Sequence, residues 1–408
     1  MAPKTRLALS AMSVLAATTC GAPVVCGQTA AADSGARGVI PTFSYTGELV
    51  RDAVGGTRRG SAFVGAAGVQ VTLRLGRLLG WHGAQLFVFA LGTHGGAPSE
   101  LVGDVQGVSN LEAPADLKLE EAWLQQNLLV NRLSWLVGRY DLNTEFYRLQ
   151  SAALFMNSSF GIGPELAQSG VGGPSIFPNT AVGTRVDFKP SRNLAWRAAL
   201  LDGVPVERPG EGIRLFAPGD GALLVGEVAL LHRPDTAGVP RQRRFGIGRG
   251  LMRSYAAKIA LGAWYYTARF PDLSDTTEHR GSGGAYLIGD LKVRSATAFV
   301  QLGLGGGRVN QIGGYVGGEL TFTGPLPSRS QDVVGLAVAA ARNGSHYERA
   351  QTAAGIPTAG ETTVELTYLA AIGPWLTLQP DLQYVIHPGG TRTTRNAVVP
   401  GLRIALSY

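Results

Sequence analysis

Charged and aromatic side chains are concentrated in one stretch of the sequence, residues 141–179. It contains Asp141, Glu145, Arg148 and Glu165 among five aromatic residues. Aromatic rings can stack on flat apolar faces of a solute, and charged groups can exchange hydrogen bonds with its polar groups. Such contacts are weak enough for a solute to leave again. The stretch is therefore either an inward loop that narrows a passage or an external loop packed on its neighbours.

Further candidates lie in segments where apolar and polar residues alternate. In such a segment the apolar residues share one face and the polar residues share the other. This parity predicts a polar lining that comprises Glu48, Arg74, Glu121, Trp123, Gln125, Arg185, Asp187 and Arg197, with Arg139 and Asp141 at the start of the charged stretch. Leu119, Glu319, Glu365, Asp381 and Arg403 share the same predicted face. Each charged residue is either part of a constriction or an ordinary solvated wall residue.

The sequence contains no recognisable enzyme motif. Its six histidines are isolated and lack the spacing of metal ligands, and the glycine-rich run 303–307 is not followed by a predicted helix. Both cysteines, Cys20 and Cys26, lie in a segment that is predicted to be removed. We therefore predict no enzyme activity, no cofactor and no metal, with an outer-membrane barrel enzyme as a remote alternative.

The elements that must position these residues are strands, because alternation with a period of two dominates the chain. In residues 69–75, for example, Val69, Val71 and Leu73 alternate with Gln70 and Thr72. Sixteen strands are predicted near residues 42–51, 62–76, 83–92, 117–127, 133–140, 180–189, 194–202, 222–231, 254–267, 284–293, 296–304, 312–322, 332–341, 361–371, 375–386 and 397–408.

The connections between these strands alternate in length. Those at 190–193, 293–295 and 372–374 are short. The connections at 93–116, 141–179, 203–221, 268–283, 342–360 and 387–396 are long. Short turns on one side and long loops on the other are typical of a transmembrane β-barrel. We predict an all-β fold, an antiparallel transmembrane barrel of about 16 strands with long external loops, short periplasmic turns and loop 141–179 folded inward.

One connection departs from this pattern, and one alternative fold has to be considered. Residues 232–253 are long where a tight turn is expected. A soluble β-sandwich would also show alternating strands, but it would need two or three domains in a chain that has no visible linker. The last strand ends on Tyr408, an aromatic residue that suits closure against the first strand.

Composition and the N-terminus agree with an exported membrane protein. Charged residues make up only 16% of the chain, and the mean hydropathy is +0.10. Lys4 and Arg6 precede a short apolar stretch, which predicts a signal peptide over 1–27 with a cleavage site between 27 and 32. A lead-in over 28–40 and a barrel over 41–408 would follow. The net charge of +7 is scattered along the chain, which argues against a nucleic-acid partner.

Several segments resemble the carbohydrate-selective porins of the OprB family. They are LVGDVQGVSNLEAP (101–114), LEEAWLQQ (119–126), LVGRYDLNTEF (136–146), ALFMNSSFGIGP (153–164), the stretch 361–390 and the terminal GLRIALSY. The family often ends in Phe where this chain has Tyr408. The resemblance implies a passive outer-membrane channel for monosaccharides and small oligosaccharides. A general or weakly anion-preferring solute porin is the alternative.

The implied partners are small sugars, outer-membrane lipid with lipopolysaccharide, and the barrel-assembly machinery. Assembly as a homo-oligomer stays open.

Overall fold

The computed structural model describes residues 38–205, 216–233 and 255–407. They form seventeen strands, of which β2 has only three residues. The strands are β1 (Val39–Asp52), β2 (Val54–Gly56), β3 (Gly60–Arg74), β4 (Ala84–Gly95), β5 (Asp116–Leu128), β6 (Leu133–Tyr140), β7 (Ala181–Phe188), β8 (Leu194–Asp202), β9 (Ala222–His232), β10 (Ala257–Pro271), β11 (Glu278–Val293), β12 (Ala296–Gly305), β13 (Ile312–Thr323), β14 (Val333–Asn343), β15 (Glu361–Ala371), β16 (Leu376–Ile386) and β17 (Arg395–Ser407).

Each long strand pairs antiparallel with the next one along the chain, and the last pairs with the first. The closing register runs from Ser44 opposite Ser407 to Val50 opposite Gly401. The short strand β2 continues β1 and also pairs with β17. Among the described strands, closure leaves no edge unpaired, as a membrane-spanning sheet requires. The predicted closed barrel of sixteen antiparallel strands is confirmed.

The outer face is apolar and the inner face carries polar groups. Leu49 and Leu261 are 51% and 61% exposed on the outside, whereas Glu48 is completely buried inside. The parity changes once in β5, where Phe89 lies opposite Glu121 but Ala90 lies opposite Leu119. Glu120 is the extra residue of this β-bulge. The predicted inward position of Leu119 is therefore wrong, since the bulge turns it to the outer face.

The two ends of the barrel differ as predicted. One end, here the turn end, has short connections such as those between β5 and β6 and between β11 and β12. The other, the loop end, has the long connections. The predicted long loop 268–283 is shorter, because β10 and β11 extend to Pro271 and Glu278. The unexplained segment 232–253 lies mostly outside the described residues, as does the predicted signal peptide.

Short helices occur mainly in the connections. They are α1 (Leu75–Leu78), α2 (Pro98–Val102), α3 (Pro164–Ala167), α4 (Ser345–Ala353) and the 3-10 helices Leu142–Thr144, Ser151–Leu154, Ser158–Phe160 and Pro388–Gly390. None of the helices in the described residues is long and apolar enough to cross a membrane.

The largest apolar core lies inside the barrel. Phe146, Phe155 and Phe160 of the connection between β6 and β7 pack with Tyr286 and Phe299 of the inner wall. Because these side chains are removed from water, the connection is a packed internal element. The lumen is therefore partly filled by its own loops.

Candidate pore constriction

Two connections fold into the lumen. The first inward loop comprises residues 96–115, between β4 and β5, and the second comprises 141–180, between β6 and β7. Their backbones are joined directly, since Ser158 N donates to Gly107 O at 2.8 Å and Asn110 N donates to Met156 O at 2.8 Å. The side-chain amide of Asn110 also donates to Phe155 O at 3.0 Å. The two loops therefore form one partition across the barrel.

A cavity of about 350 Å³ lies between the two loops. Its charged lining residues are Asp141, Arg148, Glu112 and Arg403. Amides, hydroxyls and one aromatic ring complete the polar and stacking groups of the lining: Gln106, Asn110, Asn143, Gln168, Thr144, Ser109, Ser158, Ser159 and Phe177. The cavity thus combines opposite charges, hydrogen-bonding groups and a ring face, as expected for recognition of hydroxyl-rich solutes.

Burial changes the acid–base properties of these charged groups. Burial raises the pKa of Asp141 to about 6, although its hydrogen bond from Asn143 N (2.8 Å) acts in the other direction. Burial also raises the pKa of Glu112 and lowers the pKa of Arg148. The Nε of Arg148 is buried and has no hydrogen-bond partner in the described part of the chain. The cation of Arg148 and the titratable acid of Asp141 therefore act on each other within the cavity lining.

The predicted residues Gln125, Glu145 and Arg185 do come together. Arg185 contacts the Glu145 carboxylate through Nε at 2.6 Å and through Nη2 at 2.9 Å. Its Nη2 also donates to Gln125 Oε1 at 2.9 Å, and its Nη1 donates to Ser134 Oγ at 2.7 Å. Arg185 is 2% exposed. It thus fastens the second inward loop to the wall.

A second charged group continues this fastening. Arg197 donates to Glu145 O at 2.9 Å and lies 3.5 Å from Asp187 and 3.3 Å from Glu227. Glu227 accepts the backbone N–H of Tyr147 at 3.0 Å. Arg197, Asp187 and Glu227 face the lumen, and the loop covers them. Asp187 and Arg197 are both predicted to line the pore. They affect the pore indirectly, because they hold the second inward loop in position.

The first inward loop has its own anchors. Glu48 accepts a hydrogen bond from Ser109 Oγ at 2.6 Å and pairs with Arg403. Arg403 in turn donates to Asn110 Oδ1 at 2.5 Å. Glu361 accepts the backbone N–H groups of residues 105 and 106 at 2.9 and 3.0 Å. Glu48 therefore faces inward as predicted, and its contacts hold a loop in place.

Of the residues predicted from the sequence, Asp141, Arg148 and Arg403 line the cavity, whereas the other predicted anchor residues described above do not. Three further predicted residues also lie apart from it. Arg139 is opposite Ala122, which has outer-face parity, and its Nε donates to Thr180 Oγ1 at 2.9 Å. Arg74 lies at the turn end of β3, opposite Gln85. Trp123 faces inward, yet it stacks on Phe87 with ring centroids 4.9 Å apart.

Trp123 and Glu121 are joined by a hydrogen bond, in which the Trp123 indole N–H donates to the Glu121 carboxylate at 3.0 Å. The same carboxylate accepts the backbone N–H of Asp141 at 3.3 Å. Glu121, itself bonded to Trp123, thus holds the backbone at the start of the second inward loop.

Sequence reasoning missed the first inward loop and its cavity residues Asn110 and Glu112. A signal was available, because this loop contains the apolar residues Leu101, Val102, Val108 and Leu111, which are now buried. A solvated external loop has no need of such residues. In the described residues no group of three His, Cys, Asp or Glu could hold a metal ion.

Comparisons with known proteins agree with this architecture. Porin B of Pseudomonas aeruginosa is 25% identical over 179 residues, which are 35% of this chain and 39% of that protein. The match thus spans less than half of that relative. The high-pH structure of Pseudomonas putida OprB is 20% identical, with a TM-score of 0.79, over 94% of this chain and 97% of that one.

The outer membrane channel DcaP of Acinetobacter baumannii is 11% identical, with a TM-score of 0.55, over 91% of this chain and 97% of that one. These two likenesses show the fold. The family model described as carbohydrate-selective porin, OprB family, matches residues 58–408. The chain is an outer-membrane β-barrel and belongs to the OprB family of carbohydrate-selective porins.

Proposed function

We propose that this protein lets monosaccharides and small oligosaccharides diffuse passively across the outer membrane, through the cavity between its two inward loops. The observation that carries the proposal is the lining of that cavity. A volume of about 350 Å³ lies in the range of small-molecule sites, about 300 to 1,000 Å³. Its aromatic ring can stack on a sugar, and its amides and charged groups can exchange hydrogen bonds with hydroxyl groups. The concentration gradient of the solute drives the diffusion.

The charge balance of the cavity favours neutral solutes over anions. Two cations, Arg148 and Arg403, are matched by two acids, Asp141 and Glu112. Arg403 is further compensated by its pairing with Glu48. An anion-preferring porin would need a lining with an excess of positive charge. The same lining gives no role to a nucleophile or a proton relay, so we propose a channel without enzyme activity.

Liposome swelling tests this proposal. Glucose, maltose and an uncharged non-sugar of similar size should enter wild-type vesicles at different rates, with the sugars favoured. We expect Arg148→Ala to reduce that preference while it raises the rate for the non-sugar, because the variant loses a hydroxyl-binding group and widens the passage. Arg192→Ala, in the exposed turn between β7 and β8, serves as the matched control. Equal preference in Arg148→Ala and wild type would remove Arg148 from sugar selection.

A further inference from the structure

The outer wall of the barrel contains one pair of residues whose charges repel. In the described strands, five pairs of charged residues lie directly opposite each other. Four of them combine opposite charges: Glu48 with Arg403, Lys258 with Asp290, Asp187 with Arg197, and Arg197 with Glu227. The fifth is Arg269 opposite Arg280. Like charges directly opposite each other destabilise a sheet.

No group in the described residues neutralises this pair. Arg269 and Arg280 are both exposed on the outer face, and neither guanidinium has an ion pair or hydrogen bond among the described residues. Glu278 shares this face two residues from Arg280, yet it forms no ion pair with it. The two guanidiniums therefore lack the compensation that the other four pairs have. An anion from outside the chain would supply it.

The position of the pair along the membrane normal indicates where that anion comes from. Ile259 is the first exposed apolar residue of β10, and Arg269 follows ten residues later. A rise of about 3.3 Å per residue and a strand tilt of about 40° place Arg269 about 25 Å above Ile259. The apolar outer band of such barrels is about 25 Å tall. The pair thus lies at the headgroup level of the leaflet at the loop end.

A tyrosine lies on the same outer face, four residues before Arg269 in β10. Tyr265 is 47% exposed on the outer face of β10. Its ring covers Gly281, which has a φ of +84° and where any Cβ would collide with the tyrosine hydroxyl group. Tyrosine is enriched at membrane interfaces, where its ring sits at the headgroup level. Its hydroxyl group therefore lies against Gly281, the residue that follows Arg280, with a donor available.

We propose that Arg269, Arg280 and Tyr265 bind a phosphate group of a lipid headgroup in the outer leaflet. Guanidinium groups match phosphate oxygens in charge and in geometry. The bound phosphate removes the repulsion across β10 and β11, so the lipid stabilises the loop end of this hairpin. The proposal concerns the outer wall and is independent of what passes through the lumen.

The test measures heat stability of the purified full barrel in detergent, with lipid A as the added probe. We expect lipid A to raise the unfolding midpoint of the wild type. The double variant Arg269→Gln with Arg280→Gln should need roughly tenfold more lipid A for the same rise. Without lipid, Arg280→Gln alone should be at least as stable as the wild type, because it removes the repulsion. A residue with a purely structural role would not show this reversal.

Three controls separate the proposed site from general charge effects. Lys292→Gln, exposed at the turn end of the same strand β11, should respond to lipid A like the wild type. Lipid A without its phosphates should have no effect. An equal lipid response in the double variant, or in the presence of the dephosphorylated lipid, would overturn the proposal. An equal rise with inorganic phosphate would point to a soluble anion and would also overturn it.

Discussion

Two parts of the barrel wall hold the same inward loop by different chemistry. Strands β7 to β10 use charged side chains. Arg185 forms an ion pair with the Glu145 carboxylate, and Lys258 donates a hydrogen bond to Arg148 O at 2.8 Å. Strands β12 to β16 use amides, a phenol and an acceptor carboxylate. There, Gln379 donates to Leu154 O at 2.6 Å, and Glu365 accepts the N–H groups of residues 156 and 157 at 2.6 and 2.9 Å.

The difference follows from what each part of the loop offers. The segment near Glu145 carries ionised side chains, which need opposite charges when they leave water. The segment 154–160 presents mainly bare peptide groups, which need only one donor or acceptor each. Gln301 and Tyr315 complete this second set, with bonds of 2.8 and 2.9 Å to the carbonyls of residues 160 and 159. The charged contacts should therefore be the more costly ones to break.

The largest effect is expected from Arg185→Leu. This variant leaves the Glu145 carboxylate, whose side chain is 24% exposed, without its opposite charge, at a cost of about 3 kcal/mol, the lower end of the range for buried pairs. We expect a lower unfolding midpoint and a higher single-channel conductance, because the start of the second inward loop is released. Arg192→Leu, exposed in the neighbouring turn, should change neither quantity. If Arg185→Leu matched that control, the charged part of the wall would not hold the loop.

A smaller effect is expected from the other part of the wall. Glu365→Leu leaves two buried N–H groups without an acceptor, each at a cost of about 1 kcal/mol, the lower end of the usual range, because the variant also removes a buried carboxylate. Glu365→Gln keeps one acceptor oxygen and should fall between this variant and the wild type. The temperature at which the gel mobility of the barrel changes gives the order of stability of the three proteins. An increase in the noise of the single-channel current shows that the loop has been released. The comparison fails if Glu365→Leu destabilises the barrel more than Arg185→Leu does.

The environment of Glu165, in helix α3 of the second inward loop, should respond to pH. Burial raises the pKa of Glu165 to about 7, and its Oε1 accepts a hydrogen bond from the Tyr147 hydroxyl group at 3.0 Å. A pKa raised above its unfolded value means that stability is complete at low pH and is lost as pH rises through about 7. The loss is no more than about 3 kcal/mol.

Unfolding midpoints at pH 5 and pH 9 measure this loss. Glu165→Gln mimics the protonated acid, so it should equal the wild type at pH 5 and exceed it at pH 9. An unchanged pH dependence in Glu165→Gln would assign the loss to another group.

The strands were predictable because each one repeats a local pattern, and loop contacts were not because they join distant residues. Val105 N meets Glu361 across 256 positions in the sequence, and no local pattern records that pairing. Parity alone placed Glu48, Arg185 and Arg197 correctly on the inner face. It failed at Leu119, where a single extra residue reverses the alternation. For Arg139, proximity to the charged stretch was a poor guide, since the register assigns it outer-face parity.

The claim that the cavity between the two loops is the sugar pathway can be tested with one cysteine. Ala153 is exposed and lines the cavity, and the chain's only cysteines, Cys20 and Cys26, precede the described residues. A charged thiol reagent should reduce the single-channel conductance of Ala153→Cys but not of the unsubstituted chain, and maltose should slow the reaction. A conductance that the reagent leaves unchanged, or a reaction rate that maltose does not affect, would contradict the claim.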